Sequence, residues 1–440
     1  MSNTYVIVGG TLIDSRPERI EDVLIVDGKI ERVEKDISIP KGAHVIDAQD
    51  KIVSPGLVDI QVHFREPGQE ASEDIQSGSR SAAIGGMTAV QTMPNTNPCI
   101  DSVEAYLDAK NRSRDASCDV FVSAAITKNR ASEELAPLVE LYEAGARTFT
   151  DDGDCVKTAQ MMRRAIEELS PLENAVLAQH CEDHSLVHEG VMDEGYVSHE
   201  LGLPGRHRVA EEIIISRDIA LMSAFSRKSL RYHVLHLSTR QGLEVVRHAH
   251  KLGVNITAEV APQHLVLTSE LLKSGNANFK MNPPLREQAD VQALRSGIKD
   301  GTITAIATDH APHPKELKDK GLTSAPPGML GVETALSVGI THLVHTGVLT
   351  IKELVYLLSI KPSRIINAHK LENGGHGLSV QAGNPANIAV FSTDEDWVVN
   401  AKDLHSKSEN SPWDGQQLKG KVHYTFLQGE MTCEKGQPTK

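Results

Sequence analysis

The sequence has no long basic segment that would suit a nucleic-acid surface. Its 440 residues include 45 Lys and Arg against 59 Asp and Glu, which gives a formal net charge of −14. Because nucleic acids attract clustered positive charge, this balance argues against nucleic-acid binding as the main function. A local site for a small anionic substrate is compatible with it.

Long apolar segments and cysteine pairs are also absent. No segment reaches the roughly 18 apolar residues that a membrane helix needs, and residues 1–10 do not resemble a secretion signal. We therefore expect a cytoplasmic protein without a membrane partner. The five cysteines are an odd number, lie far apart and form no Cys-x-x-Cys motif. Free thiols are expected rather than disulfides or a thiolate zinc site.

The apolar segments that are present predict an α/β protein built on a (β/α)8 TIM-like barrel. Helix-like segments alternate with eight short apolar segments, at residues 58–63, 88–93, 120–126, 146–150, 175–180, 232–237, 255–259 and 304–309. This alternation is typical of a parallel sheet covered by helices. Eight such units favour a closed barrel over an open sheet.

Both chain ends predict a second, smaller β domain. They contain short strand-like segments separated by Gly, Asp and Pro turns, at residues 5–8, 23–26, 29–33, 44–47, 387–391, 397–399 and 422–428. We expect the two ends to meet in one composite β-sandwich domain. Its predicted limits are residues 1–54 plus 378–440, with the barrel at residues 55–377.

Several of the apolar segments end in residues that can bind metals. The first ends at His63, the fifth at His180 and the eighth at Asp309. The sixth has His236 next to its last residue, and the fourth is followed by Asp151 and Asp152, one of which would be the ligand. Any one histidine here could be an ordinary hydrogen-bonded core residue. Because the strand ends of a barrel share one rim, however, all five side chains should converge. Imidazole and carboxylate ligands without thiolate suit a catalytic site for zinc or another divalent first-row metal.

Such a site predicts hydrolysis of an amide, or its reversal. A metal ion lowers the pKa of a bound water from about 15.7 toward about 7 and polarises the carbonyl under attack. Asp309 is the candidate acid/base, because a carboxylate beside the metal can pass the proton of the water to the leaving nitrogen. If the first segment is a strand, Arg65 lies on the same side as His63. Its guanidinium would then hold an anion near the metal.

Five motifs resemble a known family. They are DIQVHFREPG at 59–68, MPNTNP at 93–98, FTDDG at 149–153, KMNPPLR at 280–286 and ATDHAPH at 307–313. In this order, over nearly the whole chain, they resemble the dihydroorotase branch of the amidohydrolase superfamily. The resemblance implies reversible cyclisation of N-carbamoyl-L-aspartate to L-dihydroorotate, a step of pyrimidine (UMP) biosynthesis, on a zinc-dependent barrel.

The resemblance also implies roles for individual residues. The metal ligands would be His63, Asp152, His180, His236 and Asp309, with Asp152 as the bridging carboxylate and Asp309 also as the catalytic base. The substrate would be held by His63, Arg65, Asn95, Asn282, His313, Pro327 and Gly328. One or two Zn²⁺ ions per chain are implied. A homodimer and an association with aspartate transcarbamoylase are compatible with the resemblance.

Four positions have competing interpretations. Asn95 and Asn282 lie in Pro-rich loops, where asparagine is common for reasons of turn geometry alone. Asp151 is an alternative to Asp152 as the bridging ligand, but on an extended strand it would point the opposite way. Most relatives carry His-x-His where this chain has Gln61-x-His63. Because an amide is a poor zinc ligand, the number of metal ions stays open.

Two alternative functions are compatible with parts of the sequence. Hydantoinases and allantoinases hydrolyse cyclic amides on the same fold, but they usually bridge their metals with a carboxylated lysine where this chain has Asp152. A non-catalytic dihydroorotase-like scaffold for aspartate transcarbamoylase would explain the missing ligand at Gln61. Loss of several ligands would be expected in that case, whereas five predicted ligands and Arg65 are present.

Overall fold

Eight parallel strands form the centre of the computed structural model, which describes residues 4–187, 189–226 and 229–439. In chain order these barrel strands are Leu57–Val62, Met87–Thr92, Asp119–Val122, Thr148–Phe149, Val176–Gln179, Arg231–Val234, Ile256–Val260 and Ala305–Ile306. The first three form one sheet and the last five form another. Parallel bridges Ala124–Phe149 and Val62–His310 join the two sheets at both edges. The strands therefore close into a ring, and the predicted barrel is confirmed.

The barrel strands are buried because both faces are covered. Every residue of Leu57–Val62 and of Met87–Thr92 is buried, as expected for a parallel sheet with helices outside and side chains inside. Asp59, on the first of these strands, finds its partners in the interior. The carboxylate of Asp59 accepts hydrogen bonds from the Thr308 backbone N–H at 3.1 Å and from Thr308 Oγ1 at 2.5 Å. This contact fixes the first strand against the segment that follows the eighth.

Helices follow most of the barrel strands. The longer ones are Ile75–Ile84, Val103–Arg112, Ala159–Leu169, Val209–Phe225, Arg240–Lys251 and Gln288–Asp300, and the shorter ones are Leu138–Glu143, Tyr196–Leu201, Lys315–Lys318, Gly321–Ser324, Ala335–Gly339, Ile351–Val355 and Lys361–Ile365. Asp74, Ser102, Thr158 and Thr239 start four of them, and each side chain accepts a hydrogen bond from a first-turn backbone N–H. Such caps satisfy donors that the helix itself cannot pair. No helix in the described ranges is long and apolar enough to cross a membrane.

The two chain ends share one β structure beside the barrel. A four-stranded sheet has the order Lys29–Glu34, Asp22–Val26, Thr4–Val8, His44–Asp47. A seven-stranded sheet has the order Gln437–Pro438, Glu430–Glu434, Gln417–Leu427, Ile388–Val398, Ile52–Pro55, Thr11–Leu12, Arg19–Ile20. Within it, N-terminal Ile52–Pro55 pairs antiparallel with C-terminal Ile388–Val398. The composite β domain is thereby confirmed, while its exact limits stay a prediction.

Two excursions from the barrel lie next to the site. Between the fifth and sixth barrel strands, Met192–Asp193 pairs in parallel with Gly205–Arg206. Between the seventh strand and helix Gln288–Asp300, the chain forms three 3-10 turns, at Pro262–Leu265, Ser269–Ser274 and Ala277–Phe279. The second excursion brings Asn282 to the rim of the barrel.

Candidate active site

One pocket at the C-terminal rim of the barrel brings together every site residue predicted from the sequence. It is lined by His63, Arg65, Asn95, Asp152, His180, His236, Asn282, Asp309, His313, Pro327 and Gly328, together with Gly153, Ala311 and Pro326. These residues come from at least six separate parts of the chain. Their convergence at the strand ends is the usual position of an active site in a barrel of this type.

The five predicted metal ligands converge around Asp152. The ligand atoms of Asp152, His180 and His236 lie within 4.8 Å of one another, and all three residues are buried. His236 Nε2 lies 2.8 Å from His180 Nδ1 and 3.5 Å from Asp152 Oδ1. On the other side, His63 Nε2 lies 3.4 Å from Asp152 Oδ2 and 3.0 Å from Asp309 Oδ1. Asp152 therefore presents Oδ1 to His180 and His236 and Oδ2 to His63.

The donor set fits a divalent metal ion. The cluster offers imidazole nitrogens and carboxylate oxygens without thiolate, which is the ligand chemistry of catalytic zinc sites. The buried Nδ1 of His236 has no hydrogen-bond partner within the described part of the chain. Burial acts to raise the pKa of Asp152, but a hydrogen bond from His236 and the nearby His63 and His180 outweigh it and hold this pKa below its usual range. A metal ligand has to be deprotonated in this way.

Asp151 has a different role from its neighbour Asp152. Its carboxylate accepts hydrogen bonds from the backbone N–H groups of Ile126, at 2.8 Å, and Thr127, at 2.9 Å. Thr127 Oγ1 donates a third at 2.5 Å. These bonds turn Asp151 away from the pocket and tie together the segments after the third and fourth barrel strands. The choice of Asp152 over Asp151 as the pocket-facing carboxylate agrees with this geometry.

Gln61 is part of the same cluster. Its side chain is fully buried, and Nε2 donates to Asp152 Oδ1 at 3.2 Å. The amide oxygen Oε1 is buried and has no hydrogen-bond partner among the described residues. The position that departs from the family pattern therefore faces the central carboxylate with an amide.

The position of Arg65 in the pocket does not result from strand alternation. The first barrel strand ends at Val62, and Arg65 adopts a left-handed conformation with φ of 58°. Its Nη2 lies 3.4 Å from His313 Nε2, and its Nε donates to the Pro312 carbonyl at 3.4 Å. Burial lowers the pKa of Arg65 to about 10, against the opposing effect of Asp309 and Asp152. The guanidinium is still charged at neutral pH and can bind an anion.

Asn95 and His313 hold neighbouring groups in place. Asn95 Oδ1 accepts a hydrogen bond from His63 Nδ1–H at 2.9 Å, which leaves Nε2 of His63 to face the carboxylates. Burial and the adjacent Arg65 lower the pKa of His313 to about 3, so this ring is neutral. Its Nε2 lies 2.9 Å from the Pro327 carbonyl, to which it donates. This bond connects the loop after the eighth strand with Pro327.

Two residues next to the predicted ligands, Glu182 and Arg206, lie outside the five sequence motifs. Arg206 Nη1 donates to Glu182 Oε1 at 2.9 Å and to Asn282 Oδ1 at 3.0 Å. Asn282 Nδ2 in turn lies 3.2 Å from both Glu182 Oε2 and His180 Nε2. Glu182 stands two residues after a predicted ligand, a spacing that could have indicated it. Arg206 belongs to the short strand Gly205–Arg206, and nothing in its sequence surroundings points to the site.

Asn410, from the C-terminal part of the chain, bonds to residues at the pocket. Asn410 Nδ2 donates to the carbonyls of Ala311 at 3.0 Å and Gly328 at 3.1 Å. Its Oδ1 accepts from the His313 backbone N–H at 3.1 Å. The C-terminal part of the chain therefore connects residues 311–313 with Gly328 at the rim of the pocket.

Comparisons with known proteins agree with this geometry. A family model described as dihydro-orotase-like matches residues 50–242. The dihydroorotase of Acetivibrio thermocellus is 42% identical over 97% of this chain and 98% of its own. That of Streptomyces coelicolor is 42% identical and covers 100% of both chains. Among solved structures, L-hydantoinase (dihydropyrimidinase) from Arthrobacter aurescens matches with a TM-score of 0.88, covering 100% of this chain and 98% of its own, at 24% identity.

Proposed function

The chain belongs to the dihydroorotase family, and we propose from that membership that it interconverts N-carbamoyl-L-aspartate and L-dihydroorotate in pyrimidine biosynthesis. It is a cyclic amidohydrolase that acts on a small molecule. The resemblance of the five motifs is confirmed by full-length relatives at 42% identity. The observation that carries the proposal is the pairing, in one pocket, of the Asp152 cluster with the buried guanidinium of Arg65.

The proposed metal site uses the two halves of the cluster. His63 and Asp309 would hold Zn²⁺ on one side of Asp152, and His180 and His236 on the other. A bound zinc ion lowers the pKa of water from about 15.7 toward about 7 and polarises the carbonyl under attack. Gln61 leaves open whether one ion or two are bound. Metal content, measured by mass spectrometry on the purified protein, tests both the identity and the number.

The side chains around the cluster perform the remaining steps. Asp309 lies at the pocket beside His63, where its carboxylate can take the proton of the attacking water. It then passes this proton to the ring nitrogen that leaves when dihydroorotate opens. In the reverse direction it takes the proton from the attacking nitrogen and gives it to the departing oxygen. Arg65 binds the carboxylate that does not react, and Asn282 contacts the pyrimidine ring. The backbone of Pro327 and Gly328 closes the substrate end of the pocket.

A substrate panel distinguishes this proposal from its closest alternative. Hydantoin and allantoin are neutral, so they gain little from the buried cation of Arg65, whereas dihydroorotate carries a carboxylate. The similarity to hydantoinases, at 24% identity, concerns the fold. We expect kcat/KM to be highest for dihydroorotate and carbamoyl-aspartate. A preference for either neutral ring would reject the dihydroorotase assignment.

The scaffold alternative is tested in the same assay. If the zinc-saturated protein turned over neither dihydroorotate nor carbamoyl-aspartate, a non-catalytic role beside aspartate transcarbamoylase would replace the proposed one. A homodimer, an association with aspartate transcarbamoylase and a cytoplasmic location stay predictions. Size-exclusion chromatography with light scattering, with and without that partner, tests the first two.

A further inference from the structure

Lys318 is a buried lysine whose hydrogen bonds, within the described residues, all go to backbone carbonyls. It ends the short helix Lys315–Lys318 and is 5% exposed. Its Nζ donates to the carbonyl oxygens of Pro326 and Gly328, both at 3.0 Å, and of Lys280 at 3.3 Å. All three donors of the ammonium group are therefore used.

This arrangement is costly for a side chain that serves only packing. Burial and the nearby ammonium of Lys280 lower the pKa of Lys318 to about 7. In the described ranges no ion pair joins Lys318 to a carboxylate, and no acidic group offsets its desolvation. A buried charge without a counter-ion is unfavourable, and carbonyl dipoles compensate for it only in part.

The three carbonyls identify what the cation holds together. Pro326 and Gly328 flank Pro327 and line the substrate end of the pocket. Lys280 precedes Asn282 by two residues, and its carbonyl also accepts the backbone N–H of Gly328 at 2.9 Å. Lys318 Nζ therefore lies where the loop of residues 326–328 meets the segment that carries Asn282.

We propose that Lys318 is a positioning residue, which ties the loop of residues 326–328 to Lys280 and thereby sets the substrate end of the pocket. The inference rests on the proposed function, because it assigns the loop to the substrate. Lys318 does not line the pocket, so it acts through the backbone groups that do. Its loss is expected to weaken substrate binding more than the chemical step.

The test compares Lys318→Met with the wild type. Methionine keeps much of the apolar stem but donates no hydrogen bond. We expect the KM for dihydroorotate to rise about 10-fold or more, with kcat changed by less than about 3-fold, as for lost ground-state binding. Hydrogen–deuterium exchange should become faster in a peptide covering residues 321–331, because Lys318 no longer fixes the Lys280 carbonyl that accepts the Gly328 N–H. Metal content should stay at the wild-type level.

Two further variants make the result specific. Lys315→Met removes an exposed lysine from the same helix and should leave KM and exchange unchanged. Lys318→Arg keeps charged donors but replaces the compact ammonium by a planar fork, so its KM should lie between those of wild type and Lys318→Met. If Lys318→Met is not recovered folded, Lys318→Arg decides the question by the same two measurements.

The outcomes separate this inference from the function on which it rests. Wild-type KM and wild-type exchange in the Lys318 variants would overturn it. The inference would also be overturned if the melting temperature and kcat fell while KM stayed unchanged. Lys318 would then be a purely structural residue. If the wild type itself did not turn over dihydroorotate, the proposed function would fail, and exchange alone would then show whether Lys318 ties the loop.

Discussion

At the scale of single residues, the two carboxylate oxygens of Asp152 contact different partners in the site. Oδ1 is shared by His236 and Gln61, at 3.5 and 3.2 Å, whereas Oδ2 faces His63 at 3.4 Å. A carboxylate with distinct partners on each oxygen is suited to bridge two ions. Because Gln61 donates a hydrogen bond to the first oxygen, it would compete with a bound metal for the same lone pairs. We therefore expect metal binding to depend on this one amide.

Gln61→His is expected to increase metal binding. Imidazole is a much better zinc ligand than an amide, and the side chain at this position already contacts Asp152. We expect more zinc per chain, or slower loss of zinc to a chelator, when metal content is measured after matched dialysis. Gln91→His is the control, because Gln91 is also buried in the barrel but bonds to Ser123 Oγ. Equal zinc content in wild type and Gln61→His would contradict the assignment of position 61 to the metal site.

Asp309→Asn is expected to abolish most turnover while metal is retained. An amide can still offer an oxygen to a metal, but it cannot accept the proton of the attacking water. Loss of a general acid/base typically lowers kcat by about 10²–10⁴-fold. Steady-state kinetics with dihydroorotate, together with metal analysis, check this expectation. Asp394→Asn, at a carboxylate whose side chain is 84% exposed, should behave as wild type. A wild-type kcat for Asp309→Asn would remove this residue as the base.

At the scale of elements, the structure shows which parts of the site a sequence can predict. Residues at the ends of apolar segments, such as His63 and His236, were predictable because the strands of a barrel share one rim. Arg65 was assigned to the correct pocket for an incomplete reason, since its left-handed backbone, rather than strand alternation, directs it there. Arg206 was not predictable, because it acts through contacts between two excursions that no local pattern connects.

Substitution of Arg206 tests whether this residue fixes the orientation of Asn282. Arg206→Met leaves Glu182 Oε1 and Asn282 Oδ1 without their donor, so Asn282 should lose its fixed orientation. Misplacement of a substrate contact by about 1 Å can cost about 100-fold, and we expect kcat/KM for dihydroorotate to fall by about 10- to 100-fold. Arg206→Lys should be intermediate, because lysine cannot present a planar fork.

Arg163→Met provides the matched control for this experiment. Arg163 is an arginine on helix Ala159–Leu169 whose side chain is 51% exposed and pairs with Glu167. Its substitution should leave kcat/KM unchanged. A similar loss in both variants would show that the effect of Arg206→Met is general, and it would exclude a specific role in holding Asn282.

At the scale of the whole molecule, the two chain ends brace the barrel next to its first strand. Ile52–Pro55 leads directly into barrel strand Leu57–Val62 and pairs with Ile388–Val398. Phe391 of that C-terminal strand is fully buried and packs within the apolar core of the barrel. Asn410, further along the same end, bonds to the backbone of Ala311, His313 and Gly328 at the pocket. The barrel and the composite domain should therefore lose stability together.

Phe391→Ala tests this coupling between the chain ends and the barrel. Truncation of a buried phenylalanine leaves a cavity and typically costs about 3–5 kcal/mol of unfolding free energy. We expect a lower urea midpoint of unfolding. The overall helical signal and dihydroorotase activity should be lost at the same urea concentration. Val398→Ala is the control, since Val398 lies on the same strand but is 61% exposed and should change stability by less than about 0.5 kcal/mol. If the composite domain unfolded at low urea while activity persisted to the wild-type midpoint, the barrel would be shown to stand without the chain ends.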